Sequence, residues 1–102
     1  MKIKTNELTG AALDWAVAKC EGSVNNNGRV LSLTSWAPST DWAQGGPIIE
    51  REKIELRFYR EWCGDLDTMS YGLFGPTPLI AAMRCYVASK LGDEVEVPEE
   101  LS

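Results

Sequence analysis

The chain has 102 residues, 44% of them hydrophobic and 25% charged, and carries a formal net charge of −5. That length fits one domain with a core large enough to stand without a metal or disulfide staple, and an acidic chain with scattered Lys and Arg gains nothing from counterion release, so no nucleic-acid partner is expected. Histidine is absent, which excludes Ser-His and Cys-His nucleophile pairs, His metal ligands and imidazole acid/base chemistry; the expectation is a non-catalytic protein with no metal and no cofactor.

In chain order, residues 1–5 suit a short extended start. Asn6 or Thr9 can cap a helix with a side-chain oxygen. Leu8, Ala12, Ala16 and Cys20 then recur every four residues, with Leu13 and Val17 alongside and Trp15 to one side. This stripe predicts a first helix over about 7–20, closed by Gly22. Ser23–Gly28 is rich in Asn and Gly and reads as a turn or loop. Val30, Leu31 and Leu33 suggest a short strand.

The stretch Trp36–Glu50 is the least ordinary part of the chain. Pro38 holds Ala37 in an extended conformation. Ser39 or Thr40 then caps a second helix, with Asp41 near its positive end. Trp42, Gly46, Ile49 and Lys53 are spaced for one face, with Ile48 beside them. Gly45-Gly46-Pro47 conflicts with a smooth helix, because Pro47 lacks an N–H and its ring presses on the preceding turn. The expectation is a kinked or two-part helix.

Ile54, Leu56 and Phe58 alternate with Glu55, Arg57 and Tyr59, the period of a half-buried strand. Trp62 and Cys63 lead towards a second strand. Gly64–Asp67 reads as a turn, and Met69–Phe74 as a third short strand. Thr77-Pro78 is a strong helix start. Ile80, Met83, Val87 and Leu91 form one face of a helix over 78–91, which Gly92 ends. The whole predicts an α+β domain over residues 1–92, helix-loop-helix-strand-strand(-strand)-helix, with a small antiparallel sheet of two to four strands covered by about three helices. Residues 93–102 form an acidic tail, in which Val95, Val97 and Pro98 suggest contact with the fold.

Cys20, Cys63 and Cys85 have no metal-like spacing and point to reduced thiols in the cytoplasm. No apolar run approaches the ~20 residues of a membrane span. An oligomer is an open way of covering four tryptophans.

Leu8–Ala18, Pro38–Glu50 and Gly75–Val87 resemble the NinX family of lambdoid phages. The likeness extends over nearly the whole chain, and the middle block is the specific one. The layout is similar to phage domains described as an α/β/α sandwich. The resemblance implies a phage accessory protein made in the bacterial cytoplasm and brings no established reaction.

The chemistry that these residues allow centres on the junction before the second helix. Trp36 and Trp42 can stack on a flat group. Ser39, Thr40 and the first N–H groups of a helix can hold an anion. Asp41 can accept from a hydroxyl or an amine, and Gln44 extends the polar set. Arg84, set in the last helix, can grip a phosphate or carboxylate with two parallel bonds. The expected site is therefore Trp36, Ser39, Thr40, Asp41, Trp42, Gln44 and Arg84. The expected ligand is a small nucleotide-type molecule, such as a signal of a bacterial defence system that the protein would sequester. The alternative is an acidic module that binds or inhibits a host protein.

Overall fold

The last helix organises the molecule, because its sequence presents apolar residues on almost every side. The computed structural model describes residues 1–31 and 35–101. In it, helix α3 spans Pro78–Leu91. Thr77 Oγ1 accepts from the Ile80 N–H at 3.1 Å, and Pro78 takes the first position. Both act as expected at a helix start. Leu79, Ala81, Ala82, Met83, Cys85, Tyr86 and Val87 are all buried. The single face expected from Ile80, Met83, Val87 and Leu91 is thus too narrow, and Ile80 and Leu91 are only half-buried. A helix apolar on all sides must be wrapped by the rest of the chain.

Helix α1 (Gly10–Cys20) packs against α3 and buries Ala12, Leu13, Ala16 and Val17. It begins later than the expected 7–20, since residues 5–7 form a 3₁₀ turn and Thr9 is extended. Thr9 holds the capping position, but its hydroxyl makes no capping bond. Trp15 is buried too, and its indole N–H donates to Gly28 O at 2.8 Å. That bond ties the Asn-rich loop to α1. Asn25 Oδ1 accepts from the N–H groups of Asn27 and Arg29, and Val24 pairs with Val30 across the loop. The short strand expected at Val30–Leu33 is thereby represented by one bridge at Val30, and Leu33 lies outside the described residues.

Helix α2 runs unbroken over Trp42–Glu52 with Pro47 inside it, which corrects the expectation of a kinked or two-part helix. Pro47 and Ala43 both lie on the exposed side. The carbonyl that Pro47 cannot satisfy therefore faces water, and the penalty of a buried unpaired group is avoided. The buried face is Gly45 and Ile48, not the Trp42–Gly46–Ile49–Lys53 row. Gly45 explains the shift. A Cβ there would stand 2.4 Å from Pro38 O and 2.6 Å from Leu79 Cδ2, so only glycine lets α2 approach the incoming chain and α3 this closely.

Strands β2 (Glu55–Tyr59), β3 (Glu61–Asp65) and β4 (Leu73–Gly75) form an antiparallel meander in that order. The register sets Leu56 against Gly64 and Gly64 against Leu73, then Phe58 against Trp62 and Trp62 against Gly75. Cross-strand partners share a face, and this face meets α3. A Cβ on Gly64 would lie 2.8 Å from Ala81 O, and one on Gly75 2.8 Å from Ala81 N. The expected turn at Gly64–Asp67 begins later, because Gly64 and Asp65 belong to β3.

A second ladder joins β1 (Lys2–Lys4) to β5 (Glu94–Glu96). Lys2 faces Glu96 and Lys4 faces Glu94, two opposite-charge pairs of the kind that favour one register. Val95 and Val97 are buried, and the Thr5 hydroxyl donates to Gly92 O at 2.6 Å. The acidic stretch thus contributes a strand to the fold. With three helices and two small antiparallel sheets, of two and three strands, the protein is α+β.

One polar cluster links all three helices. Arg51 Nη2 lies 2.7 Å from Glu21 Oε2, and the Tyr86 hydroxyl donates to the same carboxylate. The Arg51 bonds are the main cause that holds the Glu21 carboxyl below its ordinary pKa.

Two outcomes follow. Gly45→Ala should destabilise by about 1–3 kcal/mol through overpacking, whereas Gly46→Ala, with nothing closer than Trp42 Cε3 at 3.9 Å, should stabilise by about 0.5–1 kcal/mol. Thermal melts of the two variants should therefore move in opposite directions. As to pH, the unfolded chain takes up the Glu21 proton before the folded one, so the cluster's contribution is present above the ordinary carboxyl range and lost as acid is added below about pH 4. With Arg51 half-exposed the effect is about 1 kcal/mol. Denaturant titrations should show Glu21→Gln losing less stability between neutral and acid pH than the native chain.

Candidate functional site

The turn before α2 is built by the residues expected to bind. Thr40 and Asp41 N–H groups both return to Ala37 O. Asp41, rather than Ser39 or Thr40, caps α2, accepting from the Ala43 N–H at 2.9 Å. Gln44 closes the turn from inside the helix, with Oε1 accepting from the Ala37 N–H at 2.6 Å and Nε2 donating to Ser35 O. The Trp36 indole N–H donates to Asp14 O at 2.8 Å, so its half-buried ring is locked onto α1.

Ser39 is 2% exposed and its N–H donates to Asp14 Oδ1 at 2.9 Å. Its hydroxyl finds no partner at full hydrogen-bond geometry, yet it faces the Asp14 carboxylate closely enough to help lower that group's pKa. Burial outweighs both Ser39 contributions and raises the Asp14 pKa overall. Thr40 and Trp42 are exposed, Trp42 by 54%. The junction therefore brings six of the expected residues together. Asp41, Gln44 and the Trp36 N–H are engaged in its own construction, and the open surface is that of Thr40 and Trp42.

Arg84 has its partners elsewhere. Its Nε donates to Leu8 O and its Nη1 to Phe74 O, each at 2.8 Å. These carbonyls fix the guanidinium without neutralising it. Glu61 and Glu7 act on it only through space, and burial is the leading influence, pulling its pKa down. Among the described residues it makes no ion pair with a carboxylate. Of the five N–H donors of a guanidinium, those not bonded to Leu8 and Phe74 are left for something else.

Arg84 borders a hollow of about 260 Å³ together with Asn6, Glu61, Tyr71 and Phe74. The hollow shares Asn6, Tyr71 and Leu73 with a neighbour of about 450 Å³ that adds Lys4 and Asp93. A third, of about 470 Å³, shares Tyr71 and Asp93 and reaches Ser89 and Thr68. Together they make one groove with the Tyr71 ring in its middle. The Tyr71 hydroxyl donates to Asp93, which raises the phenol pKa. None of these hollows includes a residue of the 36–44 junction.

Sequence reasoning found Arg84 but missed Asn6, Tyr71, Phe74 and Asp93. The signal was absent, because Tyr71 and Asp93 stand 22 positions apart and meet only through β5 and the end of α3. The three cysteines are free, and burial pushes the thiols of Cys20 and Cys85 up to about 12, so both are inert at neutral pH. Among the described residues no group of His, Cys, Asp or Glu could hold a metal ion, and no helix is long and apolar enough to cross a membrane.

These features define a small α+β domain wrapped on a central helix, with a capped polar junction and a separate polar-aromatic groove. The family described as Bacteriophage P22, NinX matches residues 4–90. The chain belongs to that family, which marks it as a phage accessory protein. No curated protein matches the chain.

The unpartnered hydroxyl gives a direct check on the junction. Ser39→Ala removes a buried group that has no bond to lose, so its melting temperature should equal or exceed that of the native chain, by up to about 1 kcal/mol of added stability. A loss above that figure would mean that the hydroxyl has a strong partner.

Proposed function

We propose that this phage protein is a non-catalytic binder that holds a small nucleotide-type ligand in the groove around Tyr71, with Arg84 as its anchor. One observation carries the reading. Arg84 is a half-buried cation fixed by two main-chain carbonyls, without a carboxylate partner among the described residues, on the wall of a hollow flanked by aromatic rings. A partly desolvated guanidinium binds an anion more strongly than a surface one. Tyr71 and Phe74, exposed by 49% and 43%, offer faces for a flat base. Glu61 and Asp93 can accept from amines or ribose hydroxyls at the ligand's edge. Lys4 adds a second cation to the groove. In the host cytoplasm such a protein would sequester a nucleotide signal of a defence system without converting it. In this reading the Trp36–Gln44 junction sets α2 in place, and exposed Trp42 is a secondary contact.

A second reading is favoured by the order imposed on the acidic end. Glu94, Glu96 and Glu100 are exposed, and pairing with β1 holds the first two in place, as a module facing a basic host protein would require.

Isothermal titration against linear and cyclic nucleotides tests the first reading. At least one should bind, and Arg84→Gln should weaken it about tenfold to a hundredfold, the effect of losing a charged hydrogen bond of about 1.5–3 kcal/mol. Silence across the panel, or binding indifferent to Arg84, removes it. A host protein captured by the native chain and lost on neutralising Glu94 and Glu100 would establish the second.

A further inference from the structure

Strand β2 presents a different opening, independent of the groove. It is the outermost strand of its sheet, hydrogen-bonded to β3 alone, and among the described residues its far edge makes no main-chain bond. Protein edges are ordinarily blunted by Pro, Lys, a bulge or a covering segment. Residues 55–59 contain neither Pro nor Lys, and they pair with residues 61–65 one for one without a bulge. The other edges are shorter. Strand β4 has three residues and packs beside the 3₁₀ turn at 5–7, and β1 and β5 have three residues each. The side chains along β2 are open as well, with Phe58 61% and Tyr59 58% exposed and Leu56 half-buried.

The charge order on this edge is self-complementary. Glu55 and Arg57 lie on one face and bond to each other at 2.9 Å in the single chain. If a second copy is laid antiparallel with Leu56 opposite Leu56, each Glu55 falls opposite the second copy's Arg57. Phe58 then falls opposite Ile54. The adjacent register of equal symmetry, centred on Arg57, would oppose two guanidiniums, a like-charge pair that is destabilising. We propose that β2 is a homodimerisation edge, at which two copies join antiparallel about Leu56 to form one six-stranded sheet. The two-fold axis of such a pair is perpendicular to the sheet, so both α3 helices lie on the same face, and Leu56 and Phe58 of each copy are covered in the gap between them. The contact is isologous, the commonest arrangement for a homodimer.

The test is the mass of the full chain in solution, by sedimentation or light scattering, at a concentration on the order of 100 µM, as suits a contact below about 1,200 Å². The native chain should show a dimer. Arg57→Glu, which sets Glu against Glu, should weaken association at least tenfold, while circular dichroism confirms an unchanged fold. The double exchange Glu55→Arg with Arg57→Glu restores the complementary order and should restore the dimer. Leu56→Cys should give a covalent dimer on oxidation, since opposed strand residues have Cα atoms about 4.5–5.5 Å apart, within disulfide reach. A monomeric native chain overturns the proposal. So does a dimer that survives Arg57→Glu, or a double exchange that stays monomeric.

Discussion

Everything in this protein has to come within backbone distance of α3. The helix is buried on most of its circumference, so no single element covers it, and the elements that do must each present a surface without side chains at the point of closest approach. Gly45 from α2 and Gly64 and Gly75 from the sheet meet the stretch Leu79–Ala81 in this way. The small residues of α3 itself, Ala81 and Ala82, are the other half of the fit. Burial of a large apolar side chain contributes about 1.5–3 kcal/mol, and here Leu8, Leu13, Val17, Met83 and Val87 all reach full burial in one cluster. The close approaches allow this with strands of only three to five residues.

The same constraint separates the two polar regions. At the junction the chain must turn sharply to set Gly45 beneath Pro38, and the turn uses its own side chains to do so. Asp41 and Gln44 satisfy N–H groups that would otherwise be orphaned, and Asp14 of α1 receives the Ser39 N–H. A helix start whose first donors are already satisfied has little left for an external anion. Arg84 is in the opposite position. It emerges from α3 where β4 and the chain before α1 close over the helix, its carbonyl partners are neutral, and its charge remains available. Rings and carboxylates from β4, the loop before it and the start of β5 gather around it because all of them pack against the same helix.

By itself the sequence determined the elements whose cause is local. The start at Thr77-Pro78, the length of α3, the α1 stripe and the alternation of Ile54–Phe58 depend on capping, fixed φ and periodicity, and each survives in the structure. Family membership was legible for the same reason, since it rests on contiguous blocks. The tertiary structure decided whatever depends on solvent exposure or on partners distant in sequence. It left Pro47 inside an unbroken α2, because the affected carbonyl faces water. It chose Asp41 as the cap, because Ser39 is drawn into a bond with Asp14. It paired Lys2–Lys4 with Glu94–Glu96 and gathered Tyr71, Asp93 and Arg84 along one groove. No periodicity encodes such pairings, since they exist only once the apolar circumference of α3 has drawn both ends of the chain around it.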